Sequence, residues 1–269
     1  MSRAKVLVIT GYGTNCERET AHAAREAGAD RVDIRFFSDL VSEKAFVLDY
    51  NLLIFPGGFL DGDELGAAQA ASLRWRYSRT KSGRLIFDDL KEFVDRGNLI
   101  LGICNGFQLM VKLGLLPSCG GKRFERQVSL SYNDSARFED RWVHLAINPD
   151  SPCVFTKGIE RMYLPIRHGE GKLALRDPEL LGQISRENLI AMQYIDPESG
   201  EPTQNYPANP NGSPLGIAGL TAPGGRLFGL MPHPEAYNHR TNHPGWTRGE
   251  SAIHGTELLA GGVRYLQSN

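Results

Sequence analysis

Cys104 stands in LILGICNGFQLM (99–110), with Gly102 two positions before it and Gly106 two after, where a solid apolar run gives way to helix-forming residues. Small-x-nucleophile-x-small is the pattern of a nucleophile elbow. A buried strand turns sharply into a helix, the two backbones approach closely, and only glycine fits at the flanks. Such a turn exposes the sulfur at the carboxyl end of a sheet. There the N-terminus of a helix over Asn105–Leu113 favours thiolate over thiol, and Gly114 followed by Pro117 ends that helix. A buried structural cysteine fits the same local pattern equally well, because that is the usual place of a free cysteine. Partner residues have to decide.

A thiol with an ordinary pKa of about 8.5 is only a few per cent ionised at neutral pH, so catalysis by it requires a base and a group that orients the base. MPHPE (231–235) contains both: His233 and Glu235, two residues apart just past a predicted strand, suit an imidazole turned towards Cys104 with a carboxylate fixing its tautomer. FPGGF (55–59) also follows a buried strand. Its paired glycines free backbone N–H groups, that of Gly58 among them, to point at a developing oxyanion, and Asn105, directly after the nucleophile, offers the second donor. Loss of one such donor typically costs about 3–4 kcal/mol in the transition state. Taken singly, HPE reads as a rigid surface turn and Gly-Gly as an ordinary tight turn. With the elbow they describe one site.

Other candidates carry less. GYGTNC (11–16) begins like GxGxxG but has Cys16 where the third glycine belongs, so no dinucleotide site is expected. His239, His243 and His254 lack acidic or cysteine companions at metal-ligand spacing; they are expected to be solvated or partner-facing, and no metal site is predicted.

The elements that must position these residues are legible as periodicity. Runs at Lys5–Thr10 (KVLVIT), 32–37 (VDIRFF), Leu52–Phe55 (LLIF) and 98–103 (NLILGI) read as buried strands. Helical stretches at 15–27 and 85–95 lie between them, the first with Asn15 as N-cap and Gly28 as its stop. Strand alternating with helix predicts a mostly parallel sheet covered on both faces. From about 126 to 194 the pattern changes to short strands and turns, including 142–147, 162–166 and 189–194, which predicts antiparallel or mixed sheet attached to the parallel core. The Pro-, Asn- and Gly-bearing stretch 197–214 reads equally as an ordered or a flexible loop. A last strand over 225–231 precedes His233, and 250–266 reads as a closing helix.

Composition narrows the function classes. The 269 residues are ample for a real core and are read as one domain over 1–269. With 30 Lys and Arg against 31 Asp and Glu, the net charge of −1 argues against nucleic acid or an anionic membrane as the main partner. No apolar run approaches the roughly 20 residues a membrane helix needs, and MSRAKVLVIT runs straight into a strand pattern; a cytoplasmic location is expected. The four cysteines are widely spaced and contain no CxxC, indicating neither a disulfide framework nor a zinc site.

Glycine-flanked cysteine, a Gly-Gly turn and HPE in this chain order resemble the class I (triad) glutamine amidotransferases. Further motifs, namely GTNCERE (13–19), FPGGFLDGDELGA (55–67), GICNGFQLMVKLGLLP (102–117), NDSARFEDRWV (133–143), LPIRHGEGK (164–172), NPNGS (209–213) and GLMPHPE (229–235), are similar to those of the glutaminase subunits of phosphoribosylformylglycinamidine synthases. They span nearly the whole chain. The resemblance implies a flavodoxin-like α/β fold, a central mostly parallel sheet flanked by helices with a smaller antiparallel or mixed sheet added. It implies glutamine as substrate, Cys104 as nucleophile, His233 as base, Glu235 as its orienter and Gly58 and Asn105 as oxyanion donors. Gln108 and His168, Gly169 and Glu170 would lie near bound glutamine. It further implies a large ATP- and magnesium-using synthetase subunit, often bridged by a small third protein, that receives the ammonia and amidates formylglycinamide ribonucleotide; this chain would bind no cofactor itself. Two positions depart from the family pattern: Leu60-Asp61, where an aromatic or serine-containing sequence is usual, and Ala236, where Arg usually follows HPE. A cysteine peptidase or deglycase of related architecture and a degenerate, non-enzymatic binding module are the alternatives. The first fits poorly with the late HPE and the Gly-Gly turn, the second with the intact triad.

Overall fold

The computed structural model describes residues 3–268. In its N-terminal half, strands and helices alternate: β1 (Lys5–Thr10), α1 (Glu17–Glu26), β2 (Arg31–Phe36), α2 (Phe37–Val41), β3 (Leu52–Phe55), α3 (Gln69–Tyr77), α4 (Ile86–Asp95), β4 (Leu99–Ile103) and α5 (Asn105–Leu113). The second half adds β5 (Val128–Tyr132), β6 (Glu139–Ile147), β7 (Arg161–His168), β8 (Glu170–Leu175), α6 (Pro178–Arg186), β9 (Ile190–Tyr194), β10 (Ile217–Thr221), β11 (Leu227–Leu230) and α7 (Thr256–Ser268). Every residue of β3 and β4 is buried, the signature of parallel strands covered on both faces.

Among the described residues a nine-stranded sheet has the order β2-β1-β3-β4-β11-β10-β9-β6-β7. Its ladders are parallel from β2 through β11 and antiparallel from there to β7. The antiparallel strands expected in the second half thus extend the parallel core within one sheet. The smaller added sheet is the antiparallel pair of β5 and β8.

This order brings the site together. Strands β3 and β11 flank β4, with Phe55 opposite Gly102 and Leu230 opposite Ile103. All three run the same way, so the segments that follow them leave the sheet side by side. Residues 56–58, Cys104 and 231–233 therefore meet at one end of three adjacent strands, the crevice in which open α/β sheets bind ligands. Strand β7 lies at the far edge of the order, yet the carbonyl of Pro165 accepts from the N–H of His233 at 2.8 Å. The antiparallel half thereby closes one wall of the crevice.

Several boundaries differ from those read in the sequence. Helix α1 starts at Glu17 with Cys16, not Asn15, as its cap, and no side chain caps it; Gly28 does end it, at φ +87°. Phe37 leaves β2 to open α2, and α7 begins at Thr256, six residues later than expected. The 197–214 stretch is held by its own polar groups. Asn209 Nδ2 donates to the carbonyls of Thr203 and Ser213, and Asn211 Nδ2 to that of Gly171. Asn209, Asn211 and Ser213 are all buried.

Candidate active site

Cys104 caps α5 at φ +51°, ψ −103°, a conformation that L residues rarely adopt and that costs on the order of 1–3 kcal/mol. The flanking glycines are what make it possible. A Cβ on Gly102 would lie 2.7 Å from the carbonyl oxygen of Gly106, and one on Gly106 would overlap the backbone of Phe55. The elbow is anchored by the Cys104 N–H donating to the carbonyl of Leu230 at 2.8 Å. Its sulfur lies 3.6 Å from the carbonyl of Arg167.

His233 is buried, and its Nδ1 pairs with Glu235 Oε1 at 2.7 Å. Burial disfavours the imidazolium, but the Glu235 carboxylate, with Cys104 and Cys16 acting in the same direction, more than offsets this and holds the His233 pKa well above 6.5. Nε2 is buried and makes no hydrogen bond, so no other group competes for proton exchange at that atom. Cys104, His233, Glu235 and Gly58 line one cleft of about 170 Å³, together with Cys16, Phe138, Arg167 and Ala236. Among the described residues Arg167 is the only Arg or Lys lining it.

Gly58 sits at φ +124°, where a Cβ would lie 2.7 Å from the carbonyl oxygen of Gly13. The 57–60 turn is fixed from two sides. The N–H of Phe59 donates to Gly13 at 3.1 Å, and that of Leu60 to the Asn105 side chain at 3.0 Å. Asn105 in turn donates through Nδ2 to Gln108 Oε1 at 3.0 Å. Asn105 thus ties the turn to α5 through its side chain, while its backbone N–H belongs to the first helical turn, which has no intrahelical acceptor.

Gln108, His168, Gly169 and Glu170 lie behind the cleft and do not line it. Gln108 Nε2 donates to the carbonyl of Glu170 at 2.6 Å, and Glu170 Oε2 accepts from Ala67 at 3.2 Å. Gly169 accepts from the N–H of Asn133 at 2.9 Å. His168 Nδ1 lies 3.1 Å from Asn133 Oδ1, and burial, helped by the charge of His233, pushes its pKa down to about 3. The departures have local roles. Leu60 supplies the N–H that Asn105 accepts, Asp61 pairs with Arg74, and Ala236 leaves the cleft wall small.

Cys16, Arg167 and Phe138 line the cleft although the sequence pattern gave them no role there. Read locally, Cys16 belongs to a failed dinucleotide motif; its position in GTNCERE is the available signal. His243 departs from the expected solvated state. It is buried among Trp142, Tyr163 and Tyr237, and its Nδ1 accepts from Gly245. His239 is exposed as expected.

The CobB/CobQ-like glutamine amidotransferase domain matches residues 3–266. Phosphoribosylformylglycinamidine synthase subunit PurQ of Methanococcus maripaludis is 42% identical over 266 residues, covering 98% of this chain and 94% of that protein. The protein of the same name from Dehalococcoides mccartyi is 40% identical over 91% of this chain and 90% of its own length. In three dimensions the chain superposes on one from the structure of PurLQS of Thermotoga maritima with a TM-score of 0.70 at 27% identity, covering 99% of this chain and all of that one. Among the described residues no helix is long and apolar enough to cross a membrane.

Proposed function

The chain belongs to the CobB/CobQ-like glutamine amidotransferases, and from that premise we propose how it acts: as the glutaminase subunit of a phosphoribosylformylglycinamidine synthase, a single amidotransferase domain that makes ammonia for a synthetase subunit. One observation carries the chemistry. Cys104 is held at a strained helix N-terminus in the same cleft as His233, whose Nδ1 is engaged by Glu235 while Nε2 is left without a hydrogen bond.

His233 accepts the Cys104 proton through Nε2, and the thiolate attacks the side-chain carboxamide carbon of glutamine. Backbone N–H groups of Gly58 and Asn105 receive the oxyanion, and Arg167 at the mouth offers a cation to the substrate's α-carboxylate. The imidazolium protonates the departing nitrogen, releasing ammonia and leaving a γ-glutamyl thioester. Water, deprotonated by the same imidazole, cleaves the thioester to glutamate and restores the thiol. Gln108, His168, Gly169 and Glu170 support the floor of this site. ATP and magnesium belong to the synthetase subunit, which uses the ammonia to amidate formylglycinamide ribonucleotide. A small third subunit bridges the two, and the assembly is cytoplasmic.

The test is glutamate release from glutamine by the chain alone, and then with the synthetase subunit, its nucleotide substrate and ATP. Strong activation in the complex is expected, because an ungated glutaminase would waste substrate. Cys104→Ser is expected to abolish glutamine-dependent synthesis and to spare synthesis from added ammonia. Equal loss of both would overturn the assignment.

A further inference from the structure

Cys16 and Glu235 Oε2 stand in the cleft with no part in the reaction described above. Glu235 is almost wholly buried, and its second oxygen makes no hydrogen bond. Cys16 is half-buried on the loop before α1, its Sγ 4.0 Å from His233 Nδ1. One ligand atom each from Cys16, His233 and Glu235 all lie within 4.8 Å of one another.

We propose that Cys16, His233 and Glu235 form a capture site for a soft divalent cation of the zinc class, and that its occupancy switches the glutaminase off by reversing the tautomer of His233. Thiolate, imidazole and carboxylate are the ligand types zinc takes. With bonds of about 2.0–2.3 Å, a tetrahedral centre needs ligand atoms roughly 3.3–3.8 Å apart. The separations here, 2.7 Å between Nδ1 and Oε1 and 4.0 Å between Nδ1 and Sγ, bracket that range. The remaining pair, Cys16 Sγ and a Glu235 oxygen, lies within 4.8 Å, so closure by about 1 Å brings all three to tetrahedral spacing. The neighbour on one side is Gly57, which brings no side chain between the ligands. A Cβ there would lie 2.7 Å from His233 Cε1 and 3.2 Å from Cys16 Sγ. The Cys16 thiol donates to Asn15 Oδ1 at 3.1 Å, a bond that metal binding gives up.

The protons balance simply. Without metal, Cys16 is a thiol, which burial helps to keep protonated. The form of His233 that accepts the Cys104 proton is the neutral ring whose one proton sits on Nδ1, facing Glu235 at 2.7 Å. The cation displaces the Cys16 proton to solvent and takes the Nδ1 lone pair, so the ring stays neutral with its one proton on Nε2. Glu235 exchanges a hydrogen bond for a bond to the metal, and nothing is oxidised or reduced. Nε2 is the atom that has to accept the Cys104 proton. Once it carries a proton itself, it is a donor and the nucleophile cannot be activated.

The inhibitory half of this inference rests on the glutaminase reading; the binding half does not. Equilibrium dialysis against Zn²⁺ is therefore run on the wild-type chain, Cys16→Ser and Cys104→Ser, beside zinc titration of glutamate release by the reconstituted complex, each active form compared with its own metal-free rate. One zinc ion per chain is expected for wild type and for Cys104→Ser, and binding at least about tenfold weaker for Cys16→Ser. Inhibition reversed by a chelator, with its midpoint displaced by the same factor in Cys16→Ser, completes the expected result. Undiminished binding by Cys16→Ser, with loss in Cys104→Ser, would put the metal on the nucleophile and overturn the proposal, as would equal binding by all three. Failure of the glutaminase reading would show separately, as no glutamate from metal-free wild type.

Discussion

Two turns of this molecule each bury a histidine to the same 2% exposure, and the environment gives them opposite properties. In the turn after β11, His233 Nδ1 meets the carboxylate of Glu235 at 2.7 Å, and its pKa stays well above 6.5 despite burial. At the end of β7, where it turns into β8, His168 Nδ1 meets the amide oxygen of Asn133 at 3.1 Å, and burial drives its pKa to about 3. A neutral amide holds the ring in place but cannot stabilise its charged form; a carboxylate does both. That one difference separates a base able to carry a proton through a reaction from a permanently neutral strut. The charge on His233 also disfavours a second one on His168.

The largest effect is expected from erasing the difference. Glu235→Gln gives His233 the kind of partner that His168 has. The glutamine amide can also hold the ring in the wrong tautomer. Glutamate release is expected to fall by about 10²–10⁴-fold, with ammonia-dependent synthesis by the complex retained. The imidazole proton resonances of His233 report the cause directly. Its pKa is expected to drop below 6.5, and an unchanged pKa with unchanged rate would refute the assigned role of the carboxylate.

How much of this contrast could be read from the chain follows from how local each piece is. Gly102, Cys104 and Gly106 are legible because the elbow writes its pattern into five consecutive residues, even though the backbone that Gly106 makes room for is that of Phe55, and α5 keeps the bounds expected for it. Glu235 is legible as the partner of His233 because it is two residues away. Asn133 as the partner of His168 is not, being 35 residues distant. Cys16 lies 217 residues from His233 and becomes its neighbour only through the sheet order. Helix α3 was invisible because its buried face is Ala71, Ser72 and Trp75, with too few large apolar side chains to mark a stripe. Strand β10 (IAGLT) is interrupted by a glycine that approaches Gly229 of β11. The strand patterns at 142–147 and 162–166 do not reveal their extension to Glu139 and His168, because the added residues are polar and charged. Of those outer residues, Arg167 lines the cleft.

Exchanging the other partner is expected to act chiefly on stability. Asn133→Asp places a carboxylate beside His168, but removes an Nδ2 that donates to the carbonyls of Arg137 and His168. The new carboxylate faces those carbonyls, so a loss of about 2–4 kcal/mol in urea unfolding at pH 8 is expected. The His168 pKa is expected to rise from about 3 towards the ordinary range. Retained stability, with His168 still neutral at pH 5, would show that the amide is not what keeps this ring uncharged.

The smallest effect is read in the unaltered protein, as the pH dependence of its stability. His168 has a folded pKa of about 3, below the ordinary 6.5, so between those values the unfolded chain binds the proton and the folded chain does not. Stability is therefore full well above pH 6.5 and falls as the pH drops towards 3, with a slope that approaches about 1.4 kcal/mol per pH unit. His233 bends the profile the other way. Its folded pKa is raised, so its contribution is complete below 6.5 and is lost as the pH climbs through the folded value. Urea midpoints measured from pH 5 to 9 are expected to pass through a maximum. His168→Gln should flatten only the acid limb, and Glu235→Gln should flatten the alkaline one. If both limbs survive both substitutions, other groups set the profile, and the opposed protonation of the two turns is not what the stability of the fold responds to.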